Sequence, residues 1–130
     1  MLVWREGGCF CGAVRFRVRS SFTKATLCNC SICAMKGFVH LIVPASDFEL
    51  IKGEEQLSLY AFNTKTAKHY FCSVCGIASY YVPRSHPDGY DVNLRCVDGI
   101  ELADVAFENF DGADWEANIK QIEGYGEKDR

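Results

Sequence analysis

Eight cysteines stand at positions 9, 11, 28, 30, 33, 72, 75 and 96, and seven of them fall into tight groups. The chain reads Cys9-Phe10-Cys11, then Cys28-Asn29-Cys30-Ser31-Ile32-Cys33, then Cys72-Ser73-Val74-Cys75, with Cys96 alone. Disulfides rarely join such close neighbours. A tetrahedral zinc instead needs sulfurs ~2.3 Å from one point, which a short cysteine knuckle supplies. Gly7, Gly8, Gly12 and Gly76 flank the pairs, where a knuckle turns sharply and aims backbone N–H groups at sulfur.

Seven clustered cysteines do not make two four-thiolate sites; they divide as four plus three. Cys9, Cys11, Cys72 and Cys75 can close one tetrahedron across a long stretch of chain, a staple that lowers the demands on the core. Cys28, Cys30 and Cys33 lie within six residues. They can hold a second ion through three sulfurs, leaving a fourth position for water or substrate, as in a catalytic zinc site. Other partitions exist, for example Cys9 and Cys11 with two of the middle three. Cys96 or His69 could also fill the fourth position, leaving two inert staples.

The elements that must position these groups read as β structure. Val14, Phe16 and Val18 alternate with Arg15, Arg17 and Arg19, the pattern of a half-buried strand. Phe38–Val43 is apolar and β-branched, and Pro44 ends it. Ser46-Asp47-Phe48-Glu49 fits a capping box that starts one helical turn before Gly53. Leu57–Phe62 and Lys68–Cys72 read as two strands joined by the Asn63-Thr64-Lys65 turn. Strands are also expected over Ala78–Val82, Tyr90–Cys96 and Val105–Phe107, with a loop from Pro83 to Gly89. Trp115, Ile119 and Ile122 fit one short helical segment. The expected architecture is a single, mostly β domain over residues 1–130, stapled by metal, with few short helices.

Composition narrows the rest. The 130 residues are 48% hydrophobic and 24% charged, the balance of one ordinary folded domain rather than a disordered chain. No apolar run approaches the ~20 residues of a membrane-spanning helix. Arg5 and Glu6 interrupt the N-terminus where a secretory signal is apolar, so a cytoplasmic protein with reduced thiols is expected. The net charge is −3; seven thiolates would remove seven charges and two zinc ions return four, giving −6. Such a protein is not built to hold nucleic acid.

The three motifs Gly8-Cys9-Phe10-Cys11-Gly12, Cys28-Asn29-Cys30-Ser31-Ile32-Cys33 and Phe71-Cys72-Ser73-Val74-Cys75-Gly76 occur in order. In this the chain closely resembles the glutathione-dependent formaldehyde-activating enzyme family, which includes the centromere protein V group. The resemblance runs from about Trp4 to Cys96, with the motif-bearing part taken as about 4–107. It implies a β-tent zinc fold of small antiparallel sheets. It implies a structural zinc on Cys9, Cys11, Cys72 and Cys75, and a second zinc on Cys28, Cys30 and Cys33, the reactive site of the namesake enzyme. The implied activity is a carbon–sulfur lyase type, joining glutathione to formaldehyde to give S-hydroxymethylglutathione. The implied partner is a small thiol. One position departs: the family's middle motif usually has His where this chain has Asn29, and Asn carries no proton near neutral pH.

Chemically, three thiolates around Zn²⁺ make a mild Lewis acid of net charge −1, suited to ionising an incoming thiol beside an aldehyde. A non-catalytic zinc-stapled interaction module is the main alternative. A third reading concerns Cys96. Arg95-Cys96-Val97-Asp98 is similar to the Arg-x-Cys-x-Asn stretch of methionine-R-sulfoxide reductases, which share the β-tent fold. The commoner fate of such a cysteine is a small buried hydrophobe. Arg15, Arg17 and Arg19 are expected on a solvated face, or as an anion contact joined by Lys65 and Lys68. His69 and His86 are candidate proton carriers or ligands, while His40 reads as a packed side chain. Tyr60, Phe62, Tyr70, Phe71, Tyr80 and Tyr81 are expected to fill the core.

Overall fold

In the computed structural model, residues 1–61 and 67–111 are described. The chain runs β1 (Val3–Gly8), β2 (Arg15–Ser20), β3 (Lys24–Cys28), α1 (Ser31–Lys36), β4 (Val39–Pro44) and β5 (Phe48–Lys52). It continues through β6 (Leu57–Tyr60), β7 (His69–Cys72), β8 (Tyr80–Tyr81), β9 (Gly89–Asn93) and β10 (Ala106–Phe110). Three small sheets result, in the orders β1-β2-β5, β10-β3-β4-β9-β8 and β6-β7. The mostly β architecture with one short helix is as the sequence led one to expect. The sheets are not all antiparallel, however: β10 pairs with β3 in parallel. Such a pairing joins segments far apart in sequence, so no local turn announces it.

Alternation on β2 works as the pattern requires. Val14, Phe16 and Val18 are fully buried. Burying a side chain the size of Phe16 contributes about 2–3 kcal/mol. Its ring meets Phe48 at 5.4 Å and Tyr80 at 6.2 Å, which ties the first sheet to the five-stranded one. The three arginines on the outer face are each paired. Arg15 meets Asp98 at 2.5 Å, Arg17 meets Glu49 at 2.7 Å, and Arg19 meets the buried Asp47 at 2.7 Å. Arg17 and Arg19 also lie over the Trp4 ring. This row is therefore a neutralised surface and does not form an anion site.

Several boundaries differ from expectation. The Ser46 segment forms one 3-10 turn, Ala45–Asp47, but no capping box: Phe48 opens β5 and Glu49 goes to Arg17. Ala78–Val82 shortens to β8, because Ala78 and Ser79 instead serve Asn93 as backbone acceptors. Residues 94–96 leave the β9 ladder as a 3-10 turn. Phe62, the Asn63-Thr64-Lys65 turn and the Trp115 segment lie outside the described residues.

The five-stranded sheet has two unlike faces. Val39, Leu41 and Val43 on β4 and Val92 on β9 point into the main core. The opposite face carries Phe38, His40, Asp91, Asn93 and Tyr81, under α1 and β7. Among the described residues no helix is long and apolar enough to cross a membrane.

Candidate metal centres and the adjoining cavity

Two cysteine groups assemble, and they divide as four plus three. Cys9, Cys11, Cys72 and Cys75 bring their sulfurs within 4.8 Å of one another, as do Cys28, Cys30 and Cys33. All eight cysteines are free thiols.

The first group is built from two knuckles of similar construction. Cys9 N–H donates to Val14 C=O, and Cys72 N–H to Ile77 C=O, closing each loop at its base. Each loop then turns through a glycine with positive φ, Gly12 at 81° and Gly76 at 79°, a conformation that side chains with a Cβ resist. Cys9 and Cys11 sulfurs lie 3.6 Å apart, and Cys11 and Cys72 sulfurs 3.7 Å apart. The S–S edge of a tetrahedron with ~2.3 Å zinc–sulfur bonds is ~3.8 Å. The donor set therefore fits zinc. Val14 N–H also donates to Cys9 Sγ at 3.3 Å. Burial works against the Cys75 thiolate, but N–H groups of Cys11 and Ile77 draw it down to about 6.

The second group is local. Cys28 ends β3, Cys30 is the N-cap of α1, and Cys33 lies buried in its first turn. Ala34 N–H donates to Cys30 C=O, and the helix closes at Gly37 in the left-handed region. Hydrogen bonds from the Cys28 and Cys33 thiols pull Cys30 down to about 2, and the same contacts push Cys33 up. The opposite shifts follow from three sulfurs converging on one point and competing for the same negative charge. Among the described residues no His, Asp, Glu or further Cys joins the trio within that 4.8 Å limit.

The two side chains considered as a fourth ligand go elsewhere. Cys96 feels the charges of Cys9 and Cys75, which places it beside the first group. His69 is buried with its ring stacked on Tyr81 at 4.8 Å and its Nδ1 3.1 Å from Lys36 Nζ. Burial, then the Lys36 charge, lowers His69 to about 4, so it stays neutral and accepts from the ammonium. His86 meets Ser85 Oγ at 2.8 Å and belongs to neither cysteine group.

Beside α1, the helix that bears Cys33, opens a cavity of about 390 Å³, lined by Ile32 and Lys36 from α1, His69 and Phe71 from β7, Ile77, and Asn93 from β9; the three sulfurs are not themselves among its lining. Its walls are largely apolar. Lys36 brings the positive charge, although burial lowers its own affinity for the proton. The cavity therefore spans from the helix bearing Cys33 to the residues that follow the second knuckle.

Residues 4–110 match the family described as glutathione-dependent formaldehyde-activating enzyme. The chain belongs to that family. A crystal structure of a Rhodobacter sphaeroides protein is similar over 79% of this chain and 99% of its own, with 38% identity and a TM-score of 0.72. A Halomonas elongata protein that carries the family's name provisionally is 35% identical over 82 residues. That match covers 56% of this chain and 52% of the relative, so the chain spans about half the length of that curated protein.

Within the formaldehyde-activating family frame, two residues singled out by sequence find plain roles. Asn29, at the position where the family usually has His, is exposed and donates through Nδ2 to Asp111 at 2.9 Å. Its backbone N–H reaches Phe110 on the parallel strand. It holds β10 to β3 from outside the trio. Cys96 is half-buried and packed against the core, and burial pushes its thiol up to about 11. A redox nucleophile is favoured by the opposite shift, so burial works against the sulfoxide-reductase reading.

Sequence reasoning passed over α1 and Lys36, because six residues between Cys30 and Gly37 give no helical period to read. It took His40 as a packed side chain. His40 is indeed buried, but its Nδ1 meets Asp91 Oδ2 at 2.5 Å in a fully enclosed pair. The available signal was a histidine on the alternate face of a strand otherwise apolar on both.

Proposed function

We propose that the chain is a zinc-dependent enzyme of the carbon–sulfur lyase type that binds a small thiol such as glutathione and adds it to formaldehyde or a related aldehyde. Zinc on Cys28, Cys30 and Cys33 would supply an open coordination position that favours the ionised thiol. A second zinc on Cys9, Cys11, Cys72 and Cys75 would be structural. The observation that supports this reading is the trio itself: three convergent sulfurs on and before the helix that walls a cavity, with no fourth metal-binding side chain in the group among the described residues. Family membership supports the same chemistry.

The chain's own residues supply binding and orientation. The Lys36 ammonium, oriented by His69, is placed to receive a carboxylate of the thiol. Ile32, Phe71 and Ile77 give the cavity apolar walls for the rest of the thiol. A reducing compartment such as the cytoplasm would keep the ligand thiols available.

The test is titration of the cobalt-substituted protein with glutathione. A change in the metal–thiolate absorption at millimolar glutathione is expected, and Lys36→Met should weaken it by about tenfold, the loss of one charge-assisted contact. An unchanged spectrum would sink the thiol reading and favour the interaction module.

A further inference from the structure

We propose that His40, held by Asp91, is the proton carrier of the trio site, taking the proton of the incoming thiol at Nε2 and returning it to the aldehyde oxygen. The inference rests on the thiol-addition reading given above.

His40 is 4% exposed and Asp91 1%, and Nδ1 and Oδ2 lie 2.5 Å apart. A neutral imidazole that donates from Nδ1 to this carboxylate keeps its lone pair on Nε2. Nε2 is itself buried and has no hydrogen-bond partner, as has Asp91 Oδ1. A buried polar atom left unsatisfied costs about 1–3 kcal/mol, a cost that a bound group reaching Nε2 would relieve. Strand register says where this atom sits. His40 on β4 faces Thr26 on β3, two residues before Cys28, so His40 lies on the same face as Cys28, two register positions away. On its other side it faces Asn93, which lines the cavity.

Reach then separates two roles. The pair resembles the carboxylate–histidine arrangement that often stands behind a metal. Yet His40 lies outside the set of atoms within 4.8 Å of one another that the three sulfurs make. It is placed to act on what binds at the trio, not to complete it. The neighbours agree: the Tyr81 phenol, bonded to Asp91, is held strongly protonated by burial and then by the Asp91 charge, so it donates. His69 stays neutral beside Lys36.

The step balances without a further reagent. The S–H bond breaks and its proton goes to Nε2. The sulfur electron pair forms the C–S bond to the aldehyde carbon, while the carbonyl π pair moves onto oxygen. That oxygen takes the proton back from Nε2, and the imidazole ends as it began.

Calorimetric titration of the zinc-loaded protein with glutathione at pH 7.5, in buffers of different ionisation enthalpy, counts protons released on binding. Well under one proton per glutathione is expected for the native chain and close to one for His40→Gln, with turnover about 10²-fold lower and KM little changed. Asp91→Asn should move the count in the same direction. Equal counts in native and His40→Gln proteins would overturn the proposal while leaving thiol binding intact. Failure of glutathione to bind overturns the parent reading and this one with it. Nitrogen NMR of the native zinc-loaded protein supplies a readout free of any variant. A proton on Nδ1 and a free pair on Nε2 support the proposal; a proton on Nε2, or coupling of that nitrogen to cadmium in place of zinc, overturns it.

Discussion

The two cysteine groups set the same side chain in different surroundings. The four-sulfur group draws its members from two segments far apart in sequence, Cys11 and Cys72 being 61 residues apart, and two of them, Cys9 and Cys72, are part of the hydrophobic core. Around it stand backbone N–H groups and positive-φ glycines, which fix geometry and offer nothing that could move a proton. The trio comes from one short segment. Around it stand Lys36, His69, His40, Asp91 and Tyr81, side chains that bind, donate or accept. The first set closes a shape. The second brings together three sulfurs and is surrounded by polar side chains, the contrast that the proposed division into a structural and a reactive centre rests on.

Cutting the comparison at its strongest point should give the largest effect. Cys72→Ser removes a sulfur that ties the β6-β7 sheet to the first knuckle. Structural zinc of this kind contributes on the order of 10 kcal/mol to folding, so the variant should be unfolded at 25 °C by circular dichroism, with at most one metal per chain. Retention of two metals and a native spectrum would show that the staple is dispensable.

Cys30→Ser should instead leave folding intact. Its melting temperature is expected within a few degrees of native, about 1 kcal/mol, while one metal is lost and turnover falls at least ~10²-fold. A collapse equal to that of Cys72→Ser would erase the distinction between the groups.

A third variant touches neither group chemically. Gly53 has φ of 96°, and a Cβ there would meet Ala13 O at 2.2 Å, within the first knuckle. The same turn passes Gln56 C=O to Ser73 N–H in the second knuckle. Gly53→Ala should therefore cost about 2–3 kcal/mol, read by denaturant midpoint, and speed metal loss from the four-sulfur group alone. Equal loss from both groups would show that the two centres are mechanically coupled.

The smallest effect is a pH dependence on the trio's side. His69 binds its proton more weakly in the fold, at about 4, than at the ordinary 6.5. The unfolded chain therefore takes up more protons in that interval, and stability present above pH 6.5 is lost as pH falls toward 4. Metal release also follows acid, so the informative quantity is the difference between native and His69→Gln melting temperatures from pH 7.5 to 4.5. That difference should shrink as pH falls; a constant difference would mean that His69 does not titrate with folding.

Legibility in sequence followed locality. Cys28, Cys30 and Cys33 announce a metal site because few residues separate them, and the arginine strand announces itself by its period of two. Lys36 could not be read as a cavity cation, since α1 is too short to show a helical pattern. The arginines' partners, Asp98, Glu49 and Asp47, could not be read either, because they come from other strands and turns. Cys96 was open to three readings until its neighbours, Cys9 and Cys75, were known.

Sequence by itself determined the division of seven cysteines into four and three, the mostly β class, and membership in the formaldehyde-activating family, because knuckle spacing and strand alternation are properties of short segments. Tertiary structure alone decided what surrounds the trio. His40 reaches Asp91 across 51 residues, and Asn29 reaches Asp111 across 82. Such pairs depend on strand register and sheet order, which are settled by the packing of the whole core and leave no local trace in the chain.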